Sequence, residues 1–384
     1  MWLISTSRAE HSFFSRPEDV PGGYAILSHV WLPMDLEDTF QKLQGYKERC
    51  QENVLMMKSS TRLAPKLPTN PRDLVSSKIR AFLVFAEKDG YAWAWADTCC
   101  IDKTSSAELS EAINSMFRYY SLSHTCYVYL SDHGESRRNS LHRSQWHGRG
   151  WTLQELVAPK EVVFLSRSWI PLGTKLDLAM MLEEATGIPA PVLRFERSIT
   201  DMSVAARMSW ASKRKTTRVE DEAYCLFGLF GINMPTLYGE GSRAFYRLQE
   251  EIMKTSVDTS LFAWGPILRE PHPSFGEVVP QMVFTQPEFF LLADSPSRFE
   301  GAGSVVFVRF SSHFKPDANV SAIVTHGIWN ITYLSKLTSR IAAMLTQPQR
   351  SHPMVFVCNC PSLISTISTT SSTCHASGTS SQCI

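Results

Sequence analysis

The chain has 384 residues, of which 43% are hydrophobic and 20% charged, with a formal net charge of +1 at pH 7. That length suits about two domains at roughly 100–200 residues each, and the composition is that of a protein with a sizeable buried core. The near-zero charge excludes a whole-chain basic field, so neither nucleic acid nor an anionic membrane is expected as a partner.

Residues 22–31, GGYAILSHVW, read as a turn and a short buried strand with polar Ser28 and His29 at its far end. The runs PMDLEDTFQKLQGY and PRDLVSSKIRAFLVFAEKDG predict helices, separated by a Ser-, Thr-, Pro- and Lys-rich loop over 58–71. In the second run Leu74, Ile79, Phe82, Leu83 and Ala86 recur near a 3.6 period, and Gly90 follows as a stop. YAWAWADTCCID (91–102) reads as a second strand ending in Asp97 and Asp102. A helix follows, with Ser105 and Glu108 as a capping box and Ala112, Ile113, Met116, Phe117 and Tyr120 as its apolar stripe. TCYVYLSD (125–132) is a third strand, and a polar loop leads to a helix opened by Thr152 and a fourth strand, EVVFLS (161–166).

Strands alternating with helices predict an α/β fold, a parallel sheet covered on both faces, whose ligands collect beyond the carboxyl ends of the strands. Ser28, His29, Asp97 and Asp102 lie at such ends, and the loop before Trp151 overhangs them. Residues 174–260 read as mostly helical. Beyond Trp264, short β-branched runs broken by Pro and Gly suggest a small β-rich domain over about 270–345, followed by a Ser/Thr-rich disordered tail over 350–384.

The nine cysteines lack framework spacing and any C-x-x-C pair. No secretory leader is evident, and no apolar run approaches the ~18 residues of a membrane span. A reduced, soluble, cytoplasmic protein is expected. No P-loop, dinucleotide fingerprint or G-x-S-x-G elbow is present, and His124, His133, His142 and His147 lack metal-ligand spacing, so no metal and no cofactor are called for. What remains is a carboxylate set of Asp97, Asp102 and Glu155. For the two aspartates, turn chemistry is the plain alternative. For Glu155 it is the capping box Thr152-x-x-Glu155, whose carboxylate satisfies a free backbone N–H. Trp151 is either core or an aromatic wall, and Arg149 either an ion-pair residue or a ligand clamp.

The motifs YAILSHVW, WADTCCIDKTSSAELSEAINSMFRYY, CYVYLSD, RGWTLQELVAPKEVVFLSRSW and EDEAYCLFGLFGINMPTLYGEGSRAFYRLQEEI together resemble the fungal heterokaryon-incompatibility (HET) domain family over about residues 24–265. The stretch from about 275 to 340 looks like the module that often follows this domain. The resemblance implies a HET domain over 1–265, with a core over about 22–170 similar to Toll/interleukin-receptor (TIR) and flavodoxin-like sheets, and a helical region over about 174–260. It implies a cell-death effector in fungal non-self recognition, acting with other incompatibility or signalling proteins and through homo-oligomers. Many TIR domains cleave NAD, and SQWHGRGWTLQEL resembles their serine–tryptophan–glutamate pattern, whose catalytic glutamate falls on Glu155. Here three residues separate Trp151 from Glu155, against two more usual in TIR domains. NAD would then be a substrate, with Ser28, His29, Trp31, Asp97, Asp102, Arg149 and Trp151 around it. The alternative is a non-enzymatic signalling module acting through homotypic contacts.

Overall fold

The computed structural model describes residues 1–33, 35–59, 67–134, 138–265, 291–308 and 356–358. Seven strands form one sheet: β1 (Trp2–Ser5), β2 (His11–Phe13), β3 (Ala25–His29), β4 (Trp93–Trp95), β5 (Thr125–Tyr129), β6 (Val162–Leu165) and β7 (Pro171–Thr174). Their order is β2-β1-β4-β3-β5-β6-β7. Strand β3 is buried at all its positions, as a central strand covered on both faces must be.

The middle four strands, β4-β3-β5-β6, run parallel. Strand β1 pairs antiparallel with both β2 and β4, and β7 pairs antiparallel with β6. The sheet is therefore mixed, where the sequence pattern predicts a parallel one confined to about 22–170. The three added strands lie outside the parallel block and have only three or four residues each, too few for a period of two to register.

Helices α1 (Phe40–Ser59) and α2 (Ser77–Lys88) link β3 to β4. Ser76 caps α2, accepting the Ile79 N–H at 3.3 Å, and Ile79, Phe82, Leu83 and Ala86 fill the core as predicted. Helix α1 begins later than the sequence suggests, because Glu37 and Asp38 are buried in the loop before it. Asp38 accepts the Ser76 N–H at 2.8 Å and so ties that loop to the start of α2. Strand β4 stops at Trp95, and Asp97 opens a one-turn helix, α3 (Asp97–Cys100), instead of ending the strand. Helix α4 (Ser106–Leu122) then carries the chain across β3 to β5, and α5 (Thr152–Val157) precedes β6.

Because β4 lies on one side of β3 and β5 on the other, successive connections leave β3 in opposite directions. This is a topological switch point, where open α/β sheets form a crevice at the strand ends. Ser28 and His29 stand at that end of β3.

Beyond β7 the chain is helical: α6 (Ala179–Thr186), α7 (Ala190–Leu193), α8 (Val204–Ser209), α9 (Asp221–Tyr224), α10 (Phe227–Phe230) and α11 (Arg243–Thr255). Helix α10 packs closely on α4 because Gly228 lacks a side chain; a Cβ there would stand 2.0 Å from Phe117 Cβ. Phe245, Leu248 and Ile252 form the buried face of α11. Residues 291–308 dock on this region: the Gln249 amide bonds both the carbonyl (2.8 Å) and the N–H (3.0 Å) of Ala293, and Ser203 donates to the Val305 carbonyl at 2.5 Å. Strands β8 (Val306–Val308) and β9 (Phe356–Cys358) pair antiparallel. The rest of the expected β-rich domain (270–345) and tail (350–384) lies outside the described residues.

Candidate functional site

Neighbouring residues of a strand leave it on opposite faces, and the end of β3 uses both. Ser28 meets α5: its Oγ accepts the Trp146 indole N–H at 2.8 Å and donates to the Glu155 carboxylate. The Tyr120 hydroxyl, which donates to the Leu27 carbonyl at 3.0 Å, lies beside the same carboxylate. His29 meets α2: its Nδ1 is 2.9 Å from Lys78 Nζ, and its Nε2 is 3.1 Å from Asp97 Oδ1. An ammonium has only protons to give, so Nδ1 must accept and Nε2 must carry the ring proton that Asp97 receives. Lys78 also pairs with Glu37, whose Oε1 accepts the Leu32 N–H at 2.5 Å. The result is a buried chain of polar groups, Glu37–Lys78–His29–Asp97, running beneath the crevice.

Trp31 closes the outer side. Its indole N–H donates to Asp97 Oδ2 at 2.7 Å, and its ring carries the Lys103 ammonium at 3.8 Å and the Arg149 guanidinium at 5.7 Å. Trp31 is 41% exposed, whereas Glu155 is 7% exposed. The strand ends thus carry an exposed aromatic side chain with two cations on it, and a buried carboxyl.

The two carboxylates are driven apart in acidity. Burial acts to raise the Asp97 carboxyl, but the hydrogen bond from His29, with the Lys103 charge and the Trp31 N–H, holds it well below the usual range. Glu155 is pushed up to about 8, first by burial and then by the negative charge of Asp97; the Ser28 hydroxyl and Arg149 offset only part of this.

The capping box is absent. Thr152 is the first residue inside α5, and its Oγ1 lies 2.6 Å from the Trp146 carbonyl and 3.0 Å from that of Arg149. Arg214 Nη1 donates to the same hydroxyl at 2.9 Å and to the Arg149 carbonyl at 3.0 Å. With backbone carbonyls and a guanidinium holding the helix start, Glu155 is left to point at Ser28.

Ser28, His29, Trp31, Asp97, Arg149 and Glu155 are therefore brought together, and two expected residues are not. Asp102 accepts from Gln41 (2.6 Å) and from the N–H and hydroxyl of Thr104 (2.9 and 2.6 Å), which is turn chemistry. Trp151 precedes α5 and hydrogen-bonds Asp221 at the start of α9, on the helical region. The tryptophan bonded to Ser28 is Trp146, fully buried. Lys78, Glu37, Tyr120 and Lys103 were also not apparent. Lys78 left one sign, since it shares a helical face with Phe82 and Ala86, an odd place for a lysine.

The heterokaryon incompatibility protein (HET) family model matches residues 24–142. A domain of unknown function (DUF8212) matches residues 243–326. That second match begins at the first residue of α11, within the stretch expected to close the HET domain, and α11 is one of the helices onto which residues 291–308 pack. Vegetative incompatibility protein HET-E-1 of Podospora anserina is 41% identical over 251 residues, which cover 62% of this chain and 17% of that protein. Over residues 24–142 the chain is similar to the HET family. It spans about 17% of the length of the relative it matches. No solved structure matches.

Proposed function

We propose that the protein is a heterokaryon-incompatibility effector whose α/β unit is TIR-like and hydrolyses NAD, with Glu155 as the carboxylate beside the reacting ribose. The order of the four parallel strands, second-first-third-fourth along the chain, supports the likeness, because flavodoxin-like sheets begin that way. The single observation that carries the reading is the placement of Glu155: a buried carboxyl held by Ser28 at the switch point of the sheet.

Cleavage breaks the C1′–N bond, and its electron pair leaves on nicotinamide, which becomes neutral. The ribose passes through an oxocarbenium-like state that a carboxylate stabilises. Water adds to C1′, and its proton passes to solvent. Glu155, protonated when the crevice is empty at neutral pH, is drawn toward ionisation by the cationic nicotinamide ring.

Purified protein should deplete NAD and release nicotinamide and ADP-ribose, faster as pH rises toward about 8, and Glu155→Gln should abolish release. Turnover by Glu155→Gln sinks the residue assignment. A second reading, an assembly module acting through contacts between copies, is favoured by the burial of Glu155, because a ribose reaches it only if the crevice opens. Wild-type protein that leaves NAD untouched even when clustered would select that reading.

A further inference from the structure

We propose that Lys103 and Arg149 form a diphosphate-binding rim, with Trp31 as the platform that holds both cations, so that the site takes a nucleotide carrying a phosphoanhydride next to its ribose. This deepens the reading above and rests on it for the position of the reacting ribose.

The geometry at the rim is specific. An ammonium 3.8 Å and a guanidinium 5.7 Å from one ring centroid are both within cation–π range. The ring itself is fixed by its N–H bond to Asp97 at 2.7 Å, so an exposed indole is held in one orientation. Arg149 is fixed through its backbone, whose carbonyl receives both Thr152 and Arg214. With the ammonium already on the ring, Trp31 serves as a support for charge and not as a stacking wall for a base.

The charge count points the same way. Among the described residues neither the Lys103 ammonium nor the Arg149 guanidinium makes a hydrogen bond or ion pair. Lys78 is already matched by Glu37, while Lys103 acts on the ionised Asp97 and Arg149 acts on Glu155. A positive excess at the mouth favours a ligand with anionic groups, and a guanidinium fork suits a phosphate. A 5′-phosphate is one carbon from its ribose, so a ribose at the Glu155 floor leaves its phosphates at the rim.

Calorimetric titration of the full chain with ADP-ribose, adenosine and inorganic pyrophosphate tests this without requiring turnover. ADP-ribose should bind at least about tenfold more tightly than either other probe, and more weakly as salt is raised. Lys103→Gln and Arg149→Gln should each weaken ADP-ribose by about tenfold and leave adenosine unchanged. Trp31→Leu should lose a similar factor, with thermal unfolding used to check that each variant is folded. Wild type that fails to bind ADP-ribose, or binds adenosine as well, overturns the proposal, as do Gln variants that bind ADP-ribose normally. Pyrophosphate binding as tight as ADP-ribose would leave a bare anion site and overturn the nucleotide assignment. NAD hydrolysis with no phosphate preference sinks this proposal alone, and ADP-ribose held by the two cations without NAD hydrolysis sinks only the catalytic reading.

Discussion

Replacing Glu155 by Gln should stabilise the protein, and by an amount that depends on pH. A glutamine keeps a carbonyl oxygen for Ser28 and never ionises. The native carboxyl is carried from 4.5 to about 8 by burial and then by the charge of Asp97. A carboxyl that binds its proton more tightly when folded contributes fully below the unfolded value of 4.5, and that contribution is lost as pH rises through about 8. At about 1.4 kcal/mol per tenfold in proton affinity, the loss is on the order of 3 kcal/mol at neutral pH and on the order of 5 kcal/mol above pH 8. Urea unfolding of wild type and Glu155→Gln, from below pH 4.5 to above pH 8, should show a difference that is small in acid and grows by several kcal/mol. Repeating the pair in an Asp97→Asn background should shrink the growth, because the second cause is gone. A difference that stays flat across this range would refute the reasoning, since it would mean that Glu155 is not buried against Asp97.

Two further substitutions test the supports of the site. Lys78→Met leaves Glu37 buried without its partner and should cost roughly 3–5 kcal/mol in urea unfolding, whereas the double variant with Glu37→Leu should recover much of it. Thr152→Ala removes a hydroxyl that joins two carbonyls to Arg214 and should cost about 1–3 kcal/mol, while Asp102→Ala, in an exposed turn, should shift the melting temperature far less.

How much of this was legible in the sequence varied with the length of the signal. The parallel strands sit in long apolar or aromatic runs, and β3, β5 and β6 fall where the pattern puts them. Strands β1, β2 and β7 escape because pairing with a neighbour, not their own periodicity, makes them strands. The choice between cap and site at Glu155 was not decidable from spacing, since Thr152-x-x-Glu155 satisfies both. It was settled against the cap by Arg214, a residue 62 positions from Thr152, which takes over that hydroxyl. Likewise nothing local separates Trp151, the tryptophan expected in the site, from Trp146: Trp151 bonds Asp221 on a distant helix, and Trp146 bonds Ser28. Contacts between distant segments carry no local pattern.

The choice between Asp97 and Glu155 as the responsive carboxylate follows from the kinds of donor around each. Asp97 receives the indole N–H of Trp31 and the Nε2–H of His29, and the Lys78 ammonium on Nδ1 prevents that histidine from offering a lone pair instead. Indole and ring N–H groups can only give a proton, so they suit an ionised carboxylate and disfavour a protonated one. Glu155 is met by hydroxyls, from Ser28 and Tyr120, and a hydroxyl can give a hydrogen bond or take one. Asp97 is thereby committed to its charge, while Glu155 can hold its proton in the empty crevice and release it when a cation arrives. In the proposed reaction positive charge develops on a ribose, and a carboxyl that ionises as that charge arrives can stabilise it. That difference in partners, more than the burial alone, is the physical ground for proposing Glu155 as the reacting carboxylate.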